Sequence, residues 1–194
     1  MRNPIRLKNL SSRLLPIYFI GAVFFFLAHP TLGSFCFGLP ALVAGLFLRA
    51  WGVGHLVKTE RLTVSGPYAH VRNPLYLGTL LVGLGFSLML SGWVGWGSLS
   101  VLLLWFGLVY FPRKEQIESN RLRDRYGETY QAYYEAVPAI LPRQKAWRAE
   151  FPLANEIDQS LKWSFERYDA NNELGTFLAC VLGVGLVVLR AMAA

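Results

Sequence analysis

"PLYLGTLLVGLGFSLMLSGWVGWGSLSVLLLWFGLVYF", residues 74–111, carries no charged side chain from Pro74 to Phe111. A helix needs roughly 20 apolar residues to cross a bilayer, so this run is long enough to cross twice. Ser91 and Gly92 sit at its middle and are turn residues. They predict a tight antiparallel helical hairpin with spans at about 74–91 and 93–111. In lipid a helix satisfies its own backbone groups, which makes an all-α integral membrane fold the expectation.

The same pattern recurs outward from this hairpin. Apolar runs at about 14–30, 34–54 and 174–192 bring the expected spans to five, and Pro30 and Gly33 turn the first pair into a second hairpin. The chain is 54% hydrophobic and only 16% charged, with a mean hydropathy of +0.35, which excludes an ordinary soluble domain. Arg2, Arg6, Lys8 and Arg13 ahead of the first run imitate a secretory signal. The run lacks a small-x-small cleavage site and more spans follow, so a retained helix is expected. Residues 1–194 read as one membrane domain: a bundle with its cap over 1–142, an amphipathic interfacial helix over 143–173, and a last span over 174–194.

Lys and Arg gather before residue 14, between 58 and 72, and between 113 and 167, while the turns near 29–34 and 91–92 have none. Positive residues favour the cytoplasmic side. The N-terminus and the polar segments are therefore expected in the cytoplasm of a bacterial inner membrane or its equivalent, with both short turns outside. Arg190 alone falls on the outer side, and Arg49, a turn inside the second span, is expected to snorkel to the inner surface. The net charge of +7 reads as topology and attraction to anionic lipid, with no nucleic-acid partner. Cys36 and Cys180 lack CxxC spacing and read as small buried apolar residues. His29, His55 and His70 lack metal-ligand spacing, so no metal is expected.

Two polar segments interrupt the spans, at 55–73 and 112–173, and the second holds eleven of the twelve acidic residues. From Pro112 the sequence predicts a helix with an apolar stripe of Ile117, Leu122 and Tyr126, broken at Gly127, then a second helical stretch ending at Pro138. Ile157, Leu161, Phe165 and Tyr168 recur at helical steps and predict a third helix over 147–172. With Trp147 and Trp163 nearby it either lies in the membrane interface or packs on the polar domain.

The densest chemistry is "GPYAHVRNPLYLG", residues 66–78. Pro67 fixes a turn, Asn73 is a good N-cap, and Pro74 suits the first helical position. One reading is the entrance to the third span, with Arg72 as anchor and Tyr68 and Tyr76 in the aromatic belt. The other uses the helix N-terminus, whose free N–H groups suit a carboxylate or phosphate. Glu115 and Glu118 supply complementary acid, so a zwitterionic ligand fits beneath the bundle. His55 and Lys58 read as solvated or interfacial.

Together with the spacing of Glu118, Leu122, Tyr126, Gly127, Tyr130, Tyr133, Val137 and Pro138 in "ESNRLRDRYGETYQAYYEAVP", this stretch resembles the isoprenylcysteine carboxyl methyltransferase family. These are integral-membrane enzymes that use S-adenosylmethionine and are related to phospholipid methyltransferases. The resemblance covers about residues 45–142. It implies a methyl transfer to a lipophilic acceptor that enters from the bilayer, in a site under a cytosolic helical cap. Tyr68, His70, Val71, Arg72, Asn73, Pro74, Tyr76 and Glu118 are the implied cofactor-binding residues, and Glu118 and Arg113 the implied catalytic ones. Glu118 would take the cofactor's amino group and the Arg72-Asn73-Pro74 helix start its carboxylate. Arg113 reads equally as an orienter of an anionic acceptor or as an interfacial anchor. The family pattern has Arg-His-Pro where this chain has Arg72-Asn73-Pro74, and paired glutamates where it has Glu118-Ser119. Asn73 cannot titrate, and one carboxylate of the pair is missing.

Overall fold

The computed structural model describes residues 15–57, 61–148, 157–158 and 161–193. The first hairpin joins α1 (Leu15–Leu27) to α2 (Leu32–His55). Thr31 starts α2 with a capping box: its hydroxyl accepts from the Ser34 amide at 3.1 Å, and the Ser34 hydroxyl accepts from the Thr31 amide at 2.9 Å. A short strand β1 (Leu62–Thr63) and a 3-10 turn (Gly66–Ala69) lead into α3 (Pro74–Met89). Ser91 and Gly92, at φ 67° and 51°, reverse the chain into α4 (Gly92–Trp105). A π-helical stretch, Phe106–Tyr110, carries α4 without interruption into α5 (Phe111–Ala136). The chain then forms β2 (Ile157–Asp158), α6 (Phe165–Ala170) and α7 (Leu174–Met192).

Leu32–His55, the continuous Gly92–Ala136 helix and Leu174–Met192 are long and apolar enough to cross a membrane, and Pro74–Met89 is a shorter apolar helix. Their outer faces leave Phe37, Phe47, Leu108 and Leu182 exposed, as lipid-facing residues are. The chain is thus an all-α membrane protein, mostly helical, with two short strands, Leu62–Thr63 and Ile157–Asp158, among the described residues. Lys58 and the basic residues before 14 lie outside the described residues.

The tightest packing is between α2 and α3, where glycines let the backbones touch. A Cβ added at Gly45 would lie 2.7 Å from the Gly78 carbonyl, and one at Gly78 would lie 2.9 Å from the Gly45 carbonyl. Farther from the polar segments, Leu42, Met89 and Val187 join α2, α3 and α7 in a buried cluster. Arg49 does not snorkel outward. It turns inward to Glu173, with Nε to Oε1 at 2.5 Å and Nη2 to Oε2 at 2.9 Å. An acid at the start of α7 offers it a bidentate partner that water would otherwise replace. His55 is buried rather than solvated, and Cys36 is exposed while Cys180 is buried.

The helix expected across 147–172 is confined, among the described residues, to Phe165–Ala170, and Ile157 lies instead in β2, paired in parallel with Leu62. The stretch around Ser164 is held by α2. Ser164 N and Arg167 Nε donate to the Gly54 carbonyl at 3.0 and 2.8 Å, and Trp163 Nε1 donates to the Ala50 carbonyl at 3.0 Å. Asn171 Nδ2 adds bonds to the carbonyls of Val53 and Leu56. The last turn of α2 leaves carbonyls without helical partners, and this segment supplies the donors.

Candidate functional site

The site forms where the polar half of α5 folds back on the 66–73 stretch. Gly127, at φ 50° and ψ −125°, bends α5 in a backbone region that glycine tolerates. On either side of the bend, Tyr126, Tyr130, Tyr133 and Val137 share a buried cluster with Leu62, Val64 and Ile157. Tyr126 precedes the bend and Tyr130 and Tyr133 follow it, and all three turn into the one cluster. Tyr133 donates its phenol to the Tyr68 carbonyl at 2.7 Å. The chain after α5 then pairs with the same stretch. Arg72 N donates to Pro138 O at 2.9 Å, Asn73 N to Ala139 O at 3.2 Å, and Arg143 N to His70 O at 2.9 Å. The turn itself needs Gly66, at φ 57°, because a Cβ there would sit 2.7 Å from the His55 ring.

Asn73 occupies the N-cap position of α3 and Pro74 follows it, as the sequence implies, but the Asn73 side chain makes no capping bond. Its amide donates instead to Glu115 Oε2 at 2.5 Å and to the Ala139 carbonyl at 3.2 Å. The bond to a carboxylate is charge-assisted, and it turns the Asn73 side chain toward α5. Glu115 Oε1 also receives Arg72 Nη2 at 3.1 Å and the Ser119 hydroxyl at 3.3 Å. Tyr130 completes the chain by donating to Ser119 Oγ at 2.9 Å.

Arg72 is the unusual member. Its guanidinium carbon lies 3.6 Å from the centre of the Tyr134 ring, and its side chain is 9% exposed. Nη2 pairs with Glu115, whereas the buried Nε and Nη1 have no hydrogen-bond partner among the described residues. Buried charged nitrogens without acceptors among the described residues are costly, and chemically they can donate to an anionic oxygen.

One helical turn along α5, Glu118 Oε1 accepts the Tyr76 phenol at 2.5 Å, while its other oxygen has no hydrogen bond among the described residues. Burial raises the Tyr68 phenol above its ordinary pKa, and the negative charge of Glu118 raises it further, so Tyr68 stays neutral. Between these groups lies a cavity of about 420 Å³, within the usual range for small-molecule sites.

Tyr68, Arg72, Asn73, Pro74, Tyr76 and Glu118 all line this cavity. His70 and Val71 do not: Val71 is buried in the packing behind it, and His70 Nδ1 is bonded to the Arg143 carbonyl at 2.9 Å. Arg113 is exposed and outside the lining. The sequence marks Glu115 only as nearby acid, and the structure pairs it with Arg72. Ser119 and Tyr130, named in the sequence only for their place in the motif, also reach the lining, as do Arg61 and Arg121. The three- and four-residue spacing of Glu115, Glu118 and Ser119 is the signal that could have grouped them. Among the described residues no cluster of His, Cys, Asp and Glu has the makings of a metal site.

Residues 34–129 match the family model described as phospholipid methyltransferase. Over 132 residues the chain is 27% identical to the protein-S-isoprenylcysteine O-methyltransferase of Schizosaccharomyces pombe (strain 972 / ATCC 24843), an alignment covering 66% of this chain and 54% of that protein. The chain thus spans about half the length of the curated relative it matches. The resemblance carried by the two motifs is borne out by both comparisons. No solved structure matches.

Proposed function

We propose that this chain is a membrane methyltransferase that moves a methyl group from S-adenosylmethionine to a lipophilic acceptor such as an isoprenylcysteine-like carboxylate. The observation that carries this reading is a buried Arg72, with two nitrogens lacking a hydrogen-bond partner among the described residues, in the same cavity lining as Glu118, which lies one helical turn along α5 from Arg72's partner Glu115. The cofactor's amino acid portion needs an anion acceptor and an ammonium acceptor close together, and these residues fit both needs. Arg72 would hold the carboxylate through a nitrogen that Glu115 leaves open, and the second oxygen of Glu118 would take the amino group. Tyr68 and Tyr76 line the same cavity and offer aromatic faces, which attract positive charge.

When bound, S-adenosylmethionine supplies an electrophilic methyl group on a positively charged sulfur. The chain's own task is then to orient two reactants and keep water out. The acceptor is proposed to enter sideways from lipid. A phospholipid amine or a small lipophilic thiol is an alternative acceptor on the same architecture. We further propose five spans, with α5 beyond Gly127 and the 137–147 segment forming a cytosolic cap over the site. Arg113, exposed and outside the cavity lining, is read as an interfacial anchor.

A second reading is a reductase that takes NADPH, favoured by the three arginines, Arg61, Arg72 and Arg121, in the lining. Calorimetry and thermal shift on the full chain in detergent, with S-adenosylhomocysteine in one arm and NADPH in the other, separate the two. Binding and stabilisation by S-adenosylhomocysteine alone are expected. Stabilisation by NADPH alone would overturn the methyltransferase reading.

A further inference from the structure

Arg49 and Glu173 form a buried ion pair that the cavity does not use. Neither residue lines it, and their side chains are only 16% and 9% exposed. Burying two charges costs several kcal/mol per ion before their attraction offsets it, so such a pair is weak evidence for stability as such. What distinguishes this one is the third nitrogen. With Nε and Nη2 on Glu173, Arg49 Nη1 donates to the Thr79 hydroxyl at 2.6 Å and to the Leu75 carbonyl at 3.2 Å. Thr79 in turn donates to the same Leu75 carbonyl at 2.9 Å. The stem of Arg49 crosses Gly78, where an added Cβ would lie 2.5 Å from its Cγ. The guanidinium is therefore threaded over the first turn and a half of α3 and fastened there.

That turn is the one that matters for the site. Leu75 lies between Pro74 and Tyr76, and all three line the cavity. Tyr76 meets Glu118 at 2.5 Å, and Arg72 lies just before the turn. A guanidinium holds a carboxylate with two parallel bonds in a fixed plane, so Glu173 sets the direction in which Nη1 points. Glu173 comes from the start of α7, beyond residue 129 where the family match ends. The last helix thereby reaches the cofactor site through a single side chain.

We propose that Arg49 and Glu173 are positioning residues for the cofactor site, holding the first turn of α3 so that Tyr76 meets Glu118 and Arg72 faces the cavity. The inference rests on the methyltransferase reading, and its test keeps the two apart. The full chain in detergent is compared with Arg49→Lys, Glu173→Gln, Thr79→Val and the exchange Arg49→Glu/Glu173→Arg. Each is followed by thermal unfolding and by calorimetry with S-adenosylhomocysteine, with Arg72→Lys as the variant inside the site.

Arg49→Lys and Glu173→Gln are expected to bind about tenfold more weakly, the equivalent of one lost hydrogen bond to a charged group. Thr79→Val leaves the ion pair intact and touches only its far end, so a smaller loss of affinity with a near-parental unfolding temperature is expected. It carries the test if Arg49→Lys does not fold. The exchange restores opposite charges but leaves no guanidinium on α2 to hold Leu75, so it should recover unfolding temperature without recovering affinity. A merely structural pair would recover both, and that result overturns the inference. So does parental affinity in Arg49→Lys, Glu173→Gln and Thr79→Val while Arg72→Lys binds weakly. Absence of binding by the parent chain sinks the cofactor reading itself, and the inference with it.

Discussion

Tyr76 Oη lies 2.5 Å from Glu118 Oε1, joining the first turn of α3 to α5 across the mouth of the membrane bundle. The second oxygen of Glu118 has no hydrogen bond among the described residues, and Glu118 lines the cavity, so the proposed role as ammonium acceptor can be tested there. Glu118→Gln removes the charge and keeps the shape. It is expected to weaken S-adenosylhomocysteine binding by about 1.5–3 kcal/mol, the range for a hydrogen bond to a charged group. Glu128→Gln, on the exposed side of α5, should leave calorimetric affinity at the parental value. Equal losses from both would remove Glu118 from the site.

Asn73 tests whether the helix start is only a helix start. Were capping its role, Asn73→Ser would be silent, since serine caps about as well. The amide instead ties Glu115 to Ala139, and serine is too short to span both. Asn73→Ser should lose about 1 kcal/mol of stability for a net hydrogen bond and loosen the Glu115–Arg72 pair. Thermal unfolding and ligand affinity should fall together. Asn73→Asp places a second carboxylate against Glu115 and should be worse than serine in both measurements.

Tyr133 is buried, and its phenol satisfies the Tyr68 carbonyl at 2.7 Å. Tyr133→Phe keeps the ring packing and orphans that carbonyl. A loss of about 1–3 kcal/mol in stability is expected, the cost of an unsatisfied buried group. Denaturant titration in detergent reads it directly.

Gly54 has Trp163 packed against its Cα so closely that any Cβ would enter the indole ring. Gly54→Ala should therefore release the 161–171 segment from α2, visible as faster proteolysis there and a change in tryptophan emission. In a Trp163→Ala background the same substitution should cost much less, because the steric conflict is gone. Additive effects would show that the two residues do not meet.

Orientation is open to reporter fusions. Fusions after residue 57 and after residue 143 should report cytoplasm, and fusions in the 29–34 turn and at the C-terminus the outside. The charge distribution carries this prediction. An outside signal after 143 would put the cavity on the wrong side for a cytosolic cofactor.

Helical spans and their hairpin turn were legible in the sequence because lipid leaves the backbone one economical solution and glycine and serine mark its reversals. The π-helical stretch at Phe106–Tyr110, which runs α4 into α5 without a break, was not, because no local residue pattern distinguishes it from the helix on either side. The helical period followed α5 as far as the break expected at Gly127, where the helix bends, although Ile117 of the expected stripe is exposed. The same period misled over 147–172: Ile157 sits in a strand, because its neighbours in space, Leu62 and Val64, outweigh its neighbours in the chain.

The amino-acid order by itself determined the membrane class, the hairpin at Ser91-Gly92 and the two motifs that mark the site. Only the tertiary structure decided which charges meet. It sent Arg49 inward to Glu173, gave Asn73 to Glu115 in place of the helix cap, and left Arg113 outside the cavity. Periodicity follows from neighbours along the chain, which a sequence displays. Pairing between ionic groups depends on distances across helices set by glycine contacts such as Gly45 with Gly78, and these exist only once the helices have packed.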